Sequence, residues 1–138
     1  MRIHKKAAGA LAAAALATVG AVSVTGPAQA AAAGCVLSIT PVRGNISYLH
    51  VSNRCVPERS TDKITQTIYW GADWPDNDDY LLDRRYPSLW DTFTVHRVSL
   101  NEDSISRDEV YTENRFVRTN GTYYIVKSNE VRKEFVPT

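Results

Sequence analysis

The stretch VYTENRFVRTNGTYYIVKS, Val110 to Ser128, decides the fold. Asn120-Gly121 sits between two runs rich in β-branched and aromatic residues, Val110–Thr119 and Thr122–Ser128. Such a dipeptide supplies the positive φ angles that a two-residue type I′ turn needs, so the stretch predicts a β-hairpin. Outward from it, the same kind of pattern recurs. Downstream, NEVRKEF (129–135) predicts a short closing strand with Val131 and Phe135 inward. Upstream, NEDSISRDE (101–109) is polar and reads as a loop or one short helical turn.

The remaining strands follow from period-two alternation and turn residues. CVLSIT (35–40) and NISYLHVS (45–52) flank TPVRGN, which suggests a hairpin or sharp corner. KITQTIYW (63–70) alternates Ile64, Gln66, Ile68 and Trp70 against Thr65, Thr67 and Tyr69. YLLDRRY (80–86) is a short strand or turn that stops at Pro87, and DTFTVHRVSL (91–100) is another strand. In the latter, Phe93 and Val95 share one parity while Val98 and Leu100 share the other. A bulge near His96 and Arg97 is expected to reconcile them. Trp70 and Trp90 continue strand patterns and are expected in the core. The whole predicts an all-β protein: a single antiparallel β-sandwich of seven to eight strands.

The first 30 residues stand apart. MRIHKK is basic, AAGALAAAALATVGAVSV is apolar and uncharged, and TGPAQA ends in small residues. This is the pattern of an export signal cleaved after Ala30, giving a signal peptide over 1–30 and a secreted domain over 31–138. Removing 30 of the 138 residues leaves 108, enough for one core. The chain has 16 Lys+Arg and 15 Asp+Glu. The leader takes Arg2, Lys5 and Lys6 and no acid, so the mature charge is 13 against 15, or −2. No basic surplus points to nucleic acid or anionic lipid.

Two cysteines remain, Cys35 and Cys55, and an exported chain keeps such a pair oxidised. Pairing the first two strands antiparallel brings them together, so a disulfide is expected. AAGC (32–35) loosely fits a lipoprotein box that would lipidate Cys35 instead. Against it, Thr25, Gly26, Pro27 and Gln29 separate that box from the apolar run. Lipidation would also leave Cys55 without a partner. A mature protein free of the membrane is the expectation.

The strand spacing, the hairpin VRTNGTYY (117–124) and the cysteine pair resemble small secreted immunoglobulin-like or fibronectin-like sandwiches of actinobacterial type. The resemblance covers about residues 35 to 136 and implies the sandwich architecture. It departs from antibody domains, whose cysteines lie farther apart and join the two sheets. No functional residue is carried over from it.

GADWPDNDDYLLDRR (71–85) is the most distinctive segment. Asp73, Asp76, Asp78 and Asp79 are hard oxygen ligands at a density that could hold Ca²⁺, although the twelve-residue calcium-loop spacing is missing. The alternative is a solvated acidic loop countered by Arg84 and Arg85. Trp74, with Asp73, Asp76 and Tyr80, forms a candidate binding loop, since a loop tryptophan is a common interface anchor. Trp74 could equally fold back as a lid on the core.

Only His50 and His96 survive removal of the leader, both in predicted strands. The sequence has no G-x-S-x-G elbow and no H-E-x-x-H helix, and with Cys35 and Cys55 bridged it offers no thiol nucleophile. Catalysis and a resident cofactor are not expected. The expected function is a secreted recognition or adaptor module for another extracellular protein, for example as a subunit of a secreted assembly. Two alternatives stand beside it: inhibition of an extracellular hydrolase by loop 71–80, and calcium-dependent carbohydrate or surface binding.

Overall fold

A computed structural model describes residues 32–73, 75–101 and 107–135. The expected leader, Met1 to Ala30, lies outside them, as do Trp74 and much of the 101–109 loop. Among the described residues eight strands form: β1 (Gly34–Val42), β2 (Asn45–Val56), β3 (Lys63–Gly71), β4 (Asp79–Arg85), β5 (Trp90–His96), β6 (Asp108–Val117), β7 (Tyr123–Lys127) and β8 (Val131–Lys133). All strand pairs are antiparallel. One sheet has the order β1-β2-β5; the other has β4-β3-β6-β7, with β8 also on β6. The chain therefore crosses between sheets after β2, β4 and β5, and the all-β sandwich is the architecture.

The β6–β7 hairpin forms where the sequence placed it, with a different turn. The Arg118 amide donates to the Thr122 carbonyl and the Gly121 amide to the Arg118 carbonyl. That makes a three-residue loop in which Gly121, at φ +85°, takes the left-handed conformation and Asn120 does not. Asn120 acts through its side chain instead: Oδ1 accepts from the Thr122 amide and hydroxyl. The expected bulge at His96 and Arg97 is also replaced. β5 simply stops at His96, and a single 3-10 turn over Arg97–Ser99 resets the parity. Leu100 then drops into the core while Val98 stays in solvent.

Cys35 and Cys55 stand directly opposite each other on β1 and β2 and form the disulfide. The apolar core collects Leu37, Ile39, Leu49, Val51, Tyr69, Leu100, Val110 and Phe135. Beside it, the disulfide packs with Ile64 and Phe116, on which Tyr124 stacks. On β3 the inward set is Thr67 and Tyr69, and an irregularity between Ile64 and Gln66 turns Ile64 inward as well.

The interior also holds a polar group at its centre. Asn53 on β2 and Thr67, Thr112 and Asn114 on β3 and β6 are all buried. Asn53 Nδ2 donates to Asn114 Oδ1 at 2.7 Å, spanning the two sheets. Thr67 Oγ1 donates to the same oxygen at 2.8 Å. Asn114 Nδ2 reaches Thr112 Oγ1 and the Val126 carbonyl, and Thr112 Oγ1 donates to Asn53 Oδ1. Buried amides are tolerated when partnered in this way.

The two open sides of the sandwich are closed differently. On one side, Asn129 lies along β1: its Oδ1 accepts from the Leu37 amide at 2.8 Å and its Nδ2 donates to the Leu37 carbonyl at 3.1 Å. Lys133 Nζ caps the Ile39 carbonyl, and Cys35 bridges to Ser128. On the other side, Arg84 of β4 forms a two-pronged ion pair with Asp91 of β5, at 2.8 and 2.9 Å, and lies over the Phe93 ring. Tyr69 sits behind this pair, edge-on to Phe93. Burial and the nearby Asp91 hold its phenol well above the ordinary range.

Candidate recognition surface

β5 carries Phe93 and Val95 against the core, so Trp90, Thr92, Thr94 and His96 take the opposite face. Trp90 is therefore on the surface, 61% exposed, and not in the core where its strand pattern suggested. The buried position next to it goes to Asp91, which Arg84 neutralises. Trp70 is half-buried on the outside of the other sheet, edge-on to Tyr80.

Trp90 is exposed yet held. Its indole Nε1 donates to Ser52 Oγ at 3.2 Å, and the Arg54 guanidinium lies 4.9 Å from the ring centroid. Arg54 is the cross-strand partner of Trp90, and Val36 is the partner of Arg54. The row Val36–Arg54–Trp90 thus crosses the whole three-stranded sheet on its outer face. Val56 follows Arg54 on the same face, and the Leu89 carbonyl accepts from the Cys55 amide, which sets Leu89 beside the row. Val36, Val56 and Leu89 are all exposed.

The link from β4 to β5 completes the surface. Tyr86 precedes Pro87, has φ +50° and is 82% exposed. A tyrosine in that left-handed region costs about 1–3 kcal/mol and persists only where its surroundings hold it. Its amide is fixed by the Thr65 carbonyl, and the Ser88 hydroxyl fixes the Trp90 carbonyl at 2.7 Å. Tryptophan, tyrosine and arginine are the residue types that dominate binding energy at protein interfaces.

Loop 71–80 is less concentrated. Asp76 and Tyr80 are exposed and Asp73 is half-buried, whereas Trp74 lies outside the described residues. Asp78 accepts a 2.5 Å hydrogen bond from the Tyr111 hydroxyl, and Asp79 opens β4 opposite Gly71. Among the described residues no three His, Cys, Asp or Glu side chains are placed to hold a metal ion. Two shallow clefts lie on the five-stranded sheet. One, of about 170 Å³, is lined by Gln66, Ile68, Glu113, Arg115, Tyr123 and Ile125. The other, of about 310 Å³, includes Lys63, Arg118 and three threonines. Glu113 in the first is paired with Lys127, and Arg118 in the second with Glu58.

Sequence reasoning missed Arg54, Val36, Val56 and Leu89 and misplaced Trp90. The signal was present in DTFTVH: if Phe93 and Val95 face the core, the residue three before Phe93 faces out. Comparison with protein families, with curated proteins and with solved structures finds no match to this chain.

Proposed function

We propose that this protein is a secreted recognition or adaptor module that binds another extracellular protein through the Trp90 surface and does no catalysis. The observation that carries the reading is an exposed tryptophan whose orientation is fixed in advance by Ser52 and Arg54. Fixing a side chain before binding removes part of the ordering cost of association. Val36, Val56, Leu89 and Tyr86 add apolar area around it, and Arg54 adds one cation. The leader-like segment 1–30 and the Cys35–Cys55 disulfide support export to an oxidising compartment.

The test is capture from the culture supernatant of the native source with immobilised mature protein, in parallel with Trp90→Ala and Arg54→Ala. A partner retained by the parent and released by both variants supports the reading. A partner retained equally by all three, or no partner under several growth conditions, refutes it.

A further inference from the structure

Strand edges are templates for pairing with another chain, and folded proteins blunt them with charge, bulges, shortness or cover. The edge of β1 is covered by Asn129 and Lys133, as described. β4 carries Asp79, Asp83, Arg84 and Arg85, and its extra residue Leu81 breaks register between Tyr69 and Trp70. β7 is five residues long and ends at Lys127 beside the Cys35–Ser128 bridge; β8 is three residues long and basic. Among the described residues β5 has one such device, an inward-pointing charge, and no other. It is seven residues long, pairs with β2 without a register shift, and contains no lysine, arginine, proline or glycine. Its single charge, Asp91, points inward to Arg84.

The hydrogen-bond phase of β5 fixes what its free edge offers. The Cys55 amide donates to the Leu89 carbonyl, so by antiparallel alternation Asp91, Phe93 and Val95 bond to β2. The amides and carbonyls of Thr92 and Thr94 therefore point away from the sheet. The Trp90 carbonyl is taken by Ser88, which brackets the free stretch at one end.

We propose that β5 pairs antiparallel with β5 of a second copy, joining the two three-stranded sheets into one of six strands. The edge is self-complementary. A two-fold axis at Phe93 sets Thr92 of one copy opposite Thr94 of the other, in hydrogen-bonded phase for both chains. Threonine pairs across strands are favourable, and no like charges meet. Trp90 then falls opposite His96 of the other copy. The pairing is argued from the backbone edge of β5 and does not rest on the partner-binding reading above.

The experiment is the solution mass of the mature chain by light scattering and sedimentation over a wide concentration range, with hydrogen exchange at the Thr92 and Thr94 amides. The expected result is a two-chain mass that falls to one chain on dilution, with both amides losing protection as it does. Thr94→Pro removes an outward amide, and the Thr92→Lys/Thr94→Lys variant sets lysines against lysines on the solvent face, where folding does not depend on them. Both are expected to give single chains. A single-chain mass at every concentration overturns the proposal. So does a two-chain mass that survives the double lysine variant, or an assembly of more than two chains.

Discussion

Asn53 on β2 and Asn114 on β6 join the two sheets through a 2.7 Å hydrogen bond at the centre of the sandwich, where neither side chain meets solvent. Asn114 also receives Thr67 and donates to Thr112 and the Val126 carbonyl, so it is the hub of the group. Replacing Asn114 by leucine leaves several buried polar atoms without partners, each worth about 1–3 kcal/mol. The expected loss is about 3 kcal/mol or more, read by urea denaturation. A double-mutant cycle with Asn53 should show strong coupling; additive losses would mean that the bridge contributes nothing of its own.

The Tyr69 hydroxyl gives the opposite expectation. It is buried without a hydrogen-bond partner behind the Arg84–Asp91 pair. Tyr69→Phe removes an unpaired polar atom and keeps the ring against Phe93. Stability is expected to hold or rise, by up to about 1 kcal/mol. A clear loss on thermal denaturation would show that the hydroxyl is bonded in solution.

Alkaline pH should unfold the protein in one step. Burial raises the phenol pKa of Tyr69 and Tyr111, and Asp78 adds to the rise at Tyr111; Tyr124 is raised too. A raised pKa means that the folded state keeps protons the unfolded state gives up. This stabilisation is complete below the unfolded value of about 10 and is lost as pH climbs from there through the folded values. Tyrosine absorbance followed against pH, beside circular dichroism, is expected to show these phenols ionising together with unfolding. Full ionisation of Tyr69 in a still-folded protein would contradict its buried placement.

Gly121→Ala should weaken the β6–β7 hairpin. Only Gly121 in that turn has positive φ, and a side chain there costs about 1–2 kcal/mol. The space around its missing Cβ is open, so the loss measures backbone conformation alone. Asn120→Gly is expected to cost less, because Asn120 contributes hydrogen bonds to Thr122 and no special backbone angle.

Reducing the Cys35–Cys55 bridge should lower stability by about 3 kcal/mol, the chain-entropy estimate for a loop of this size, whose ends are 20 residues apart. The Cys35→Ser/Cys55→Ser variant is the cleaner comparison, and its melting temperature checks the figure. Native-like circular dichroism at low temperature is expected to remain, since β1 and β2 stay paired along their length.

Much of the architecture was legible because strand alternation and turn residues are local properties. The disulfide followed from placing the first two strands as neighbours. What escaped were features decided across the sandwich. Asn53-Arg54 and Asn114-Arg115 are the same dipeptide on two strands, each asparagine inward and each arginine over an aromatic ring, Trp90 or Tyr123. Each asparagine does share parity with buried neighbours, Val51 and Cys55 or Thr112 and Phe116. Nothing local shows that two such amides would meet. Trp90 was misplaced for a related reason: its place in a strand pattern argued for burial, while the parity of Phe93 and the pairing of Asp91 with Arg84 set it outside. The turn at Gly121 shows the same limit, because loop length is settled by the hydrogen bond between Arg118 and Thr122.

The amide of Asn129 works as a one-residue strand, offering Leu37 the donor and acceptor that a neighbouring chain would offer. A sheet stopped at one end and open at the other can grow once only. If β5 meets its twin, the joined sheet terminates in a stoppered β1 at both extremities, so association is finite and closed, with no route by those edges to a filament. Removing that one carboxamide, as in Asn129→Ala, would leave Lys133 on Ile39 and the Cys35–Ser128 bridge as all that stops each β1 edge.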